Sequence, residues 1–384
     1  MQDESSRKEI VLVGGGHAHV EVVRRFGRRP EPGGRITLVA RDPLMIYSGM
    51  LPGLVAGHYR PDDCHIDLPA LCDACRARFI HAEATGIDRA AKRLLLADGP
   101  PLAYGLLSLD VGITPLLDEI EGAAEHALAV KPIGAFLPKW QKLLRDCRSP
   151  DGPRKIVAVG GGAAGFELIL ALKHRLTREA ARAGLDASRF SFALVTGGGL
   201  LEEQNAHVRR AVRRALARHG VEVLENSRAA AIDRRGVRLE SGGFVAADAA
   251  LVSTHATAPH WLAATGLSLD ENGFVAIGRT LQTLNDPDVF AAGDCASMVE
   301  DPRPKAGVFA VRQGPPLAEN LRRRSRNEPP APYRPQRRWL SLLSTGEKYA
   351  IAGRAGVKLE GAWVWRWKDH VDRRWMRRYR GAPP

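Results

Sequence analysis

Three consecutive glycines, Gly14, Gly15 and Gly16, stand directly after the apolar run Ile10-Val-Leu-Val13 and directly before His17, Ala18 and His19. Glycine accepts positive φ and leaves its backbone bare, so these residue types suit a tight turn that lets a diphosphate approach main-chain N–H groups at the start of a helix. The chain repeats the arrangement at Lys155-Ile-Val-Ala-Val159, followed by Gly160, Gly161, Gly162, Ala163, Ala164 and Gly165. In the spacing G-x-G-x-x-G the first glycine makes the turn, the second admits the pyrophosphate and the third lets helix and strand pack closely. The second copy is complete with Gly160, Gly162 and Gly165. The first has His19 in the third place, so that imidazole is expected either to be tolerated by a wider crossing or to point towards the ligand. Two copies imply two nucleotides. A third element, Asn285 to Cys295, is an apolar strand ending in Gly293-Asp294, a place suited to a carboxylate that accepts hydrogen bonds from ligand hydroxyls.

The elements that must position these residues are legible as alternating strands and helices. A second strand, Arg35-Ile-Thr-Leu-Val39, ends at Ala40 where an acid for an adenosine ribose is usual; Arg41 is a candidate to stack on adenine and Asp42 to take the ribose, and the sequence leaves both open. Residues 43–60 read as a long irregular segment, too apolar at Met45, Ile46, Tyr47, Met50 and Leu51 for a plain surface loop. A strand is expected in Ser108-Leu-Asp-Val-Gly112, and an amphipathic helix over 128–148 with Leu137, Trp140, Leu143 and Leu144 inward. Behind the second turn a helix is expected over Phe166–Leu176, then a strand Phe190–Val195 ending at Thr196 without an acid; Glu202 or Glu203 is within reach of a ribose, and NADH against NADPH stays open. Lys305–Arg322 reads as a helix, 323–338 as a linker, and Trp339–Leu343 with Tyr349–Ile351 as a last strand pair.

In this order the three elements resemble the two-dinucleotide-binding-domain flavoproteins, the pyridine nucleotide-disulfide oxidoreductases in the broad sense, over nearly the whole chain. Within that family the chain looks most like the type II NADH dehydrogenase branch, and closer still like the oxidoreductase domain found fused to selenide, water dikinase. The residues behind the narrower resemblance are Gly14 to His19, Tyr47-Ser-Gly-Met-Leu-Pro-Gly53 and Ala306-Gly-Val-Phe-Ala-Val-Arg-Gln-Gly314; no dikinase domain is expected after Pro384. The resemblance implies an α/β fold, two Rossmann-like FAD- and NAD(P)-binding domains with a small C-terminal α+β domain. It divides the chain into 1–118 (FAD, first part), 119–265 (inserted NAD(P)H domain), 266–325 (FAD, second part) and 326–384 (interface or membrane association). It implies FAD on Gly14, Gly15, Gly16, His17, Ala18, Arg41, Gly112, Gly293, Asp294, Val308 and Phe309, and NADH or NADPH on Gly160, Gly162, Ala163, Ala164 and Gly165. Glu167 falls near nicotinamide and flavin, where it orients the amide or relays a proton; the competing reading is an ordinary first-turn helix carboxylate. Gln313 matches a position that lines the quinone pocket of type II NADH dehydrogenases, against a polar residue facing solvent. The implied activity is FAD-dependent NAD(P)H oxidation, with hydride passing to flavin and electrons onward to a quinone. A sulfide:quinone reductase, which needs cysteines close to the flavin, and a flavin-binding redox partner in selenium metabolism with little turnover are the alternatives.

Composition bounds these readings. A chain of 384 residues, 45% hydrophobic, is long for one core. No run approaches the ~18 consecutive apolar residues of a transmembrane helix, and the polar residues 1–9 lack the apolar stretch of a secretory signal. Five cysteines, an odd number without regular spacing, favour a reducing compartment. The expected location is cytoplasmic, at the inner face of the cell membrane. The net charge of +13 reads as surface charge rather than a nucleic-acid footprint, because no nucleic-acid motif accompanies it. Cys64-His65 and Cys72-x-x-Cys75 are the only metal-like cluster, and they read as packing residues around a helix begun near Asp67-Leu-Pro69, with the pair well inside it, so no metal is expected. Residues 361–380 are the most biased segment. Trp363, Trp367, Val371 and Trp375 form an i, i+4 stripe widened by Val364 and Tyr379, with Arg366, Arg373, Arg377 and Arg380 off it. That pattern suits a helix in a membrane interface, or one buried against the body or a second subunit of a homodimer.

Overall fold

The computed structural model describes residues 9–254 and 256–380; the N-terminal residues 1–8 lie outside them. Ile10–Val13, Leu106, Leu107, Leu109 and Val289–Ala291 have almost no exposed surface. They are neighbours in one eight-stranded sheet, one side of which runs Asp286–Ala291, Leu106–Leu109, Glu9–Val13, Arg35–Ala40 and, at the edge, Arg78–His81, all parallel. A parallel strand covered on both faces has no polar side, which is why these segments read as unbroken apolar runs. A second, five-stranded parallel sheet orders Ala127–Ala129, Ala249–Val252, Lys155–Val159, Ser191–Val195 and Val221–Leu224. Each sheet sends the carboxyl end of a central strand into a glycine turn and a helix: His17–Arg28 after Glu9–Val13, and Ala163–Arg182 after Lys155–Val159.

The two turns solve the helix–strand approach differently. At Gly165 an added Cβ would lie 1.9 Å from Gly160 O, so only glycine permits that crossing. At the same place in the first turn His19 is fully buried and turned away from the turn mouth, with Nδ1 bonded to Gly14 O at 2.7 Å and Nε2 to Ser108 Oγ at 2.9 Å. The histidine is a brace between turn and neighbouring strand, and its imidazole is not aimed at a ligand. The first-turn helix in turn packs along the helix Gly307–Ser325, where a Cβ on Gly314 would meet Glu21 at 2.8 Å.

Several expectations are corrected. Residues 43–60 are ordered: the strand Leu44–Ile46 pairs with His65–Asp67, and the helix Leu51–Ala56 follows. The helix expected over 128–148 begins at Ile133, because Ala127–Ala129 is drawn into the second sheet; Phe136, Trp140 and Leu143 are its buried face, with Leu137 and Leu144 only partly covered. Helix Leu68–Ala74 ends before Cys75, which is its C-cap and packs against Gly27. The last strand pair is a three-stranded antiparallel sheet, Ser341–Ser344, Ala350–Arg354 and Val357–Gly361, followed by the helix Ala362–Met376.

The stripe on that helix does not stay on one face. Each i, i+4 step turns about 400°, so three steps drift by about 120°. Trp363, Trp367 and Val371 are 48%, 37% and 40% exposed, whereas Trp375 is 6% exposed and packs inward with Val364, Trp365, Met376 and Tyr379. Replacing His19 by glycine, although it completes the G-x-G-x-x-G spacing, removes two buried hydrogen bonds and leaves a void; we expect a loss of about 2–4 kcal/mol, read as a lowered urea midpoint with unchanged slope.

Candidate functional site

The first turn is built from three chain segments. Gly14 has φ +90° and donates to Val39 O, which ties the turn to the neighbouring strand. Gly16 precedes the helix, and a Cβ there would sit 2.2 Å from the carboxyl of Asp110. The same carboxyl would be 2.2 Å from a Cβ on Gly293, and it accepts from Ala18 N at 2.8 Å and His19 N at 3.2 Å. Gly293-Asp294 thus lies across Asp110 from the first turn. Gly293 N donates to Gln313 Oε1 at 2.7 Å, and a cleft lined by Asp294, Lys305, Phe309, Ala310 and Gln313 opens beside it. Gln313 therefore holds the Gly293 turn, a role the sequence reading did not foresee. Phe309 packs edge-on against Trp339 at 5.3 Å, half-buried Val308 precedes it, and a Cβ on Gly307 would lie 3.4 Å from Ser48 Oγ and 3.8 Å from His17 Nε2. Arg41 stays half exposed at the end of its strand, paired with Asp42 at 3.3 Å and Glu83 at 3.7 Å, while Gly112 at φ +72° borders open space.

The second turn is open. A Cβ on Gly162 would meet nothing within 4 Å, Ala163 and Ala164 are exposed, and no acid occupies the first turn of the twenty-residue helix behind them. That leaves a bare helix N-terminus facing solvent, the arrangement that receives a phosphate. Glu202 caps Gly199 N at 2.6 Å in the loop after Ser191–Val195.

Between the turns lies a cluster of buried and partly buried polar side chains, in which Glu167 and Lys368 are coupled through their charges. Glu167 Oε1 accepts from Ser344 N at 2.7 Å, and burial pushes its carboxyl up to about 6 although Lys368 pulls the other way. Lys368 Nζ bonds Asp372 Oδ2 at 2.7 Å and Gly49 O, and although burial opposes its charge, Asp372 and Glu167 hold the ammonium above its ordinary range. Asp372 accepts from Tyr47 OH at 3.3 Å; the Tyr47 ring stacks on Trp375 at 4.3 Å, and His17 sits 5.5 Å from both. Burial, then Lys131, pushes His17 down to about 3, so its imidazole is neutral. Lys131, Asp110, Lys368 and Asp372 were missed in the sequence. An acid closing the apolar run Leu106–Leu109 was a signal for Asp110; Lys368 and Asp372, four apart on a helix read as amphipathic, gave none that set them apart from a solvated pair.

With this geometry in view, comparison with known proteins finds the pyridine nucleotide-disulphide oxidoreductase model over residues 8–314. The chain belongs to that family. It is 23% identical over 347 residues to the type II NADH:quinone oxidoreductase of Staphylococcus aureus, spanning 83% of this chain and 82% of that protein. Among solved structures it resembles the sulfide:quinone oxidoreductase of Aquifex aeolicus, with TM-score 0.82 at 20% identity over 97% and 91% of the two chains. It also resembles NDH2 of Plasmodium falciparum, solved with NADH, with TM-score 0.78 at 14% identity over 98% and 99%. At such identities the structural likeness establishes the fold.

The residues present fit a flavin dinucleotide along the first turn. His17 Nε2 and Trp375 Nε1 are buried polar atoms with no partner, Gly112 leaves open space, and Gly307 brings a helix N-terminus beside His17. Family membership does not bring a dithiol here: all five cysteines are free and buried, and burial pushes Cys72 and Cys295 up to about 12 and Cys147 to about 11. Among the described residues no group of three or more His, Cys, Asp or Glu is arranged to hold a metal ion.

Replacing Lys368 by methionine strands two buried carboxyls, Glu167 and Asp372. Their pKa values then rise further, so the penalty is present above those values and fades as acid neutralises them. We expect Lys368→Met to lose about 3–5 kcal/mol near pH 8 and clearly less near pH 5, measured by denaturant unfolding at both.

Proposed function

We propose that the protein is an FAD-dependent NAD(P)H oxidoreductase that delivers electrons to a quinone, with the first glycine turn holding FAD and the second the nicotinamide nucleotide. The observation that carries this reading is the polar cluster in which Lys368 bonds Asp372, Asp372 accepts from Tyr47 and Glu167 acts on Lys368 through charge, set between the start of the second-turn helix and the ring cluster beside the first turn without any thiol. The quinone-reducing relatives and the NADH-bound neighbour support it. A flavin held along the first turn would supply the hydride acceptor for the nicotinamide and the electron donor for the quinone. The chain's own residues position, exclude water and manage protons. Glu167, poised near 6, exchanges a proton close to neutral pH; Lys368 keeps an ammonium beside Gly49 O; and Tyr47, Trp375 and His17 wall the space off from solvent. A sulfide reading would need a nucleophilic thiol at this place, and Cys295 instead donates to Ala292 O at 3.3 Å, buried and protonated.

The membrane contact is part of the same proposal. Among the described residues no helix is long and apolar enough to cross a bilayer. Trp363 and Trp367 stack in parallel, 6.5 Å apart, and with Val371, Val357 (59% exposed) and Leu359 (42%) they leave an apolar patch on the C-terminal helix and its preceding strand. Such a patch lets an enzyme lie on lipid and reach a quinone dissolved there.

Purified protein should be yellow and oxidise NADH or NADPH with a short-chain quinone. Glu167→Gln should lower turnover by about 10²-fold at intact flavin content if it moves a proton in the reaction; flavin-loaded protein that oxidises neither nucleotide refutes the activity. Because the helix Ala362–Met376 supplies buried Lys368 and Trp375, deleting it would wreck the site, so the membrane contact is tested with Trp363→Ser/Trp367→Ser. That variant should keep dye reduction by NAD(P)H and lose binding to anionic liposomes by at least about tenfold; unchanged liposome binding removes the patch from the proposal.

A further inference from the structure

The second glycine of a dinucleotide turn is bare so that the pyrophosphate can come close. In the second turn that space is free: nothing lies within 4 Å of a Cβ built on Gly162. In the first turn it is filled by this chain's own carboxyl, since Asp110 Oδ1 lies 2.2 Å from a Cβ position on Gly16 and 2.2 Å from one on Gly293. Asp110 is 4% exposed and occupies the notch between the two turns that would bracket the flavin's diphosphate. Its Oδ2 already takes two of the helix donors, Ala18 N and His19 N. An ionised Asp110 would set a buried negative charge against the diphosphate.

Resting on the FAD reading above, we propose that Asp110 meets the flavin dinucleotide as the neutral acid, keeping Oδ2 on the helix N–H groups and donating its proton to a phosphate oxygen, so that flavin binding takes up one proton from solution. The groups facing Asp110 allow this. Burial pushes its carboxyl up to about 7, Asp294 from the Gly293 turn adds to the rise, and Lys131 opposes it. Cys295, on the same turn, is a protonated thiol, and Lys305 bears on Asp294 and Cys295 from beyond them. On the first-turn helix His17 and His19, pushed down to about 3 and 4 by burial, contribute no charge near neutral pH. With only the protonated form competent, apparent affinity is scaled by the protonated fraction, and it falls about tenfold per pH unit above about 7.

The test compares wild type with Asp110→Asn, whose amide oxygen can accept from Ala18 and His19 while its NH₂ donates to phosphate at any pH. FAD is titrated into deflavinated protein by fluorescence quenching at about pH 6 and about pH 8.5. Wild type should bind about 30-fold more weakly at the higher pH, while the asparagine variant should change little and bind more tightly than wild type there. Calorimetry in two buffers of different ionisation heat should show about one more proton taken up by wild type than by the variant near pH 8.5, a difference in which the ligand's own ionisation cancels. A pH-independent wild-type affinity, or a variant that keeps the wild-type slope, overturns the proposal and leaves the FAD reading standing. If deflavinated variant does not survive, the wild-type affinities at the two pH values and the wild-type proton uptake decide, and a pH-independent affinity or no uptake overturns the proposal. Failure of FAD to bind wild type at either pH overturns the FAD reading itself.

Discussion

The pair Lys368–Asp372 is the interaction on which the site's assembly depends. A charged pair with 8% and 7% side-chain exposure is stable only where each ion is neutralised and its hydrogen bonds are made. Here the ammonium also needs Gly49 O and the negative potential of Glu167, and Asp372 also needs Tyr47 OH. These requirements draw the C-terminal helix, the segment after the first βαβ unit and the start of the second-turn helix to one place. Aromatic packing of Tyr47, Trp375 and His17 closes that place against water, which makes every remaining charge within it more consequential.

The first and second turns show how one motif serves unequal ends. At the second, Gly160, Gly162 and Gly165 give a bare helix N-terminus open to solvent, suited to a nucleotide that comes and goes. The first is reinforced: His19 ties the turn to Ser108, Gln313 fixes Gly293, and Asp110 spans both turns. A dinucleotide held there would meet a preformed and crowded cradle, as a resident cofactor requires. The same division appears in the two sheets, which share parallel strands and carboxyl-end turns but differ in what the adjoining chain places at the turn mouth.

The C-terminal helix serves two surfaces because its apolar positions drift around the axis. Trp363 and Trp367 face outward, Trp375 faces inward, and just past the helix Tyr379 OH reaches Glu21 at 2.8 Å. Exposed Trp367 and buried Lys368 are consecutive residues, so the outward face and the buried charge pair belong to one helix.

The sequence by itself determined the strands Ile10–Val13 and Lys155–Val159, the two glycine turns, the helices behind them and the Gly293-Asp294 strand end, because each is encoded by neighbours within about fifteen residues. Periodicity, glycine and apolar run length are local signals, and they remained valid once folded. Where those signals were weak the reading slipped: residues 43–60 carry short elements stabilised by pairing with His65–Asp67, and Ala127–Ala129 is extended only because Ala249–Val252 lies beside it. What tertiary structure decided were the partners of polar groups. Tyr47 and Asp372 are 325 positions apart, Glu167 and Ser344 are 177 apart, and Ala18 and Asp110 are 92 apart. Whether Lys368 and Asp372 are a solvated pair or a buried one, whether His19 faces ligand or core, and whether Gln313 faces solvent or a cleft depend on the surroundings each side chain meets. Burial and dielectric belong to the folded surroundings and are not written in a residue's own neighbourhood along the chain.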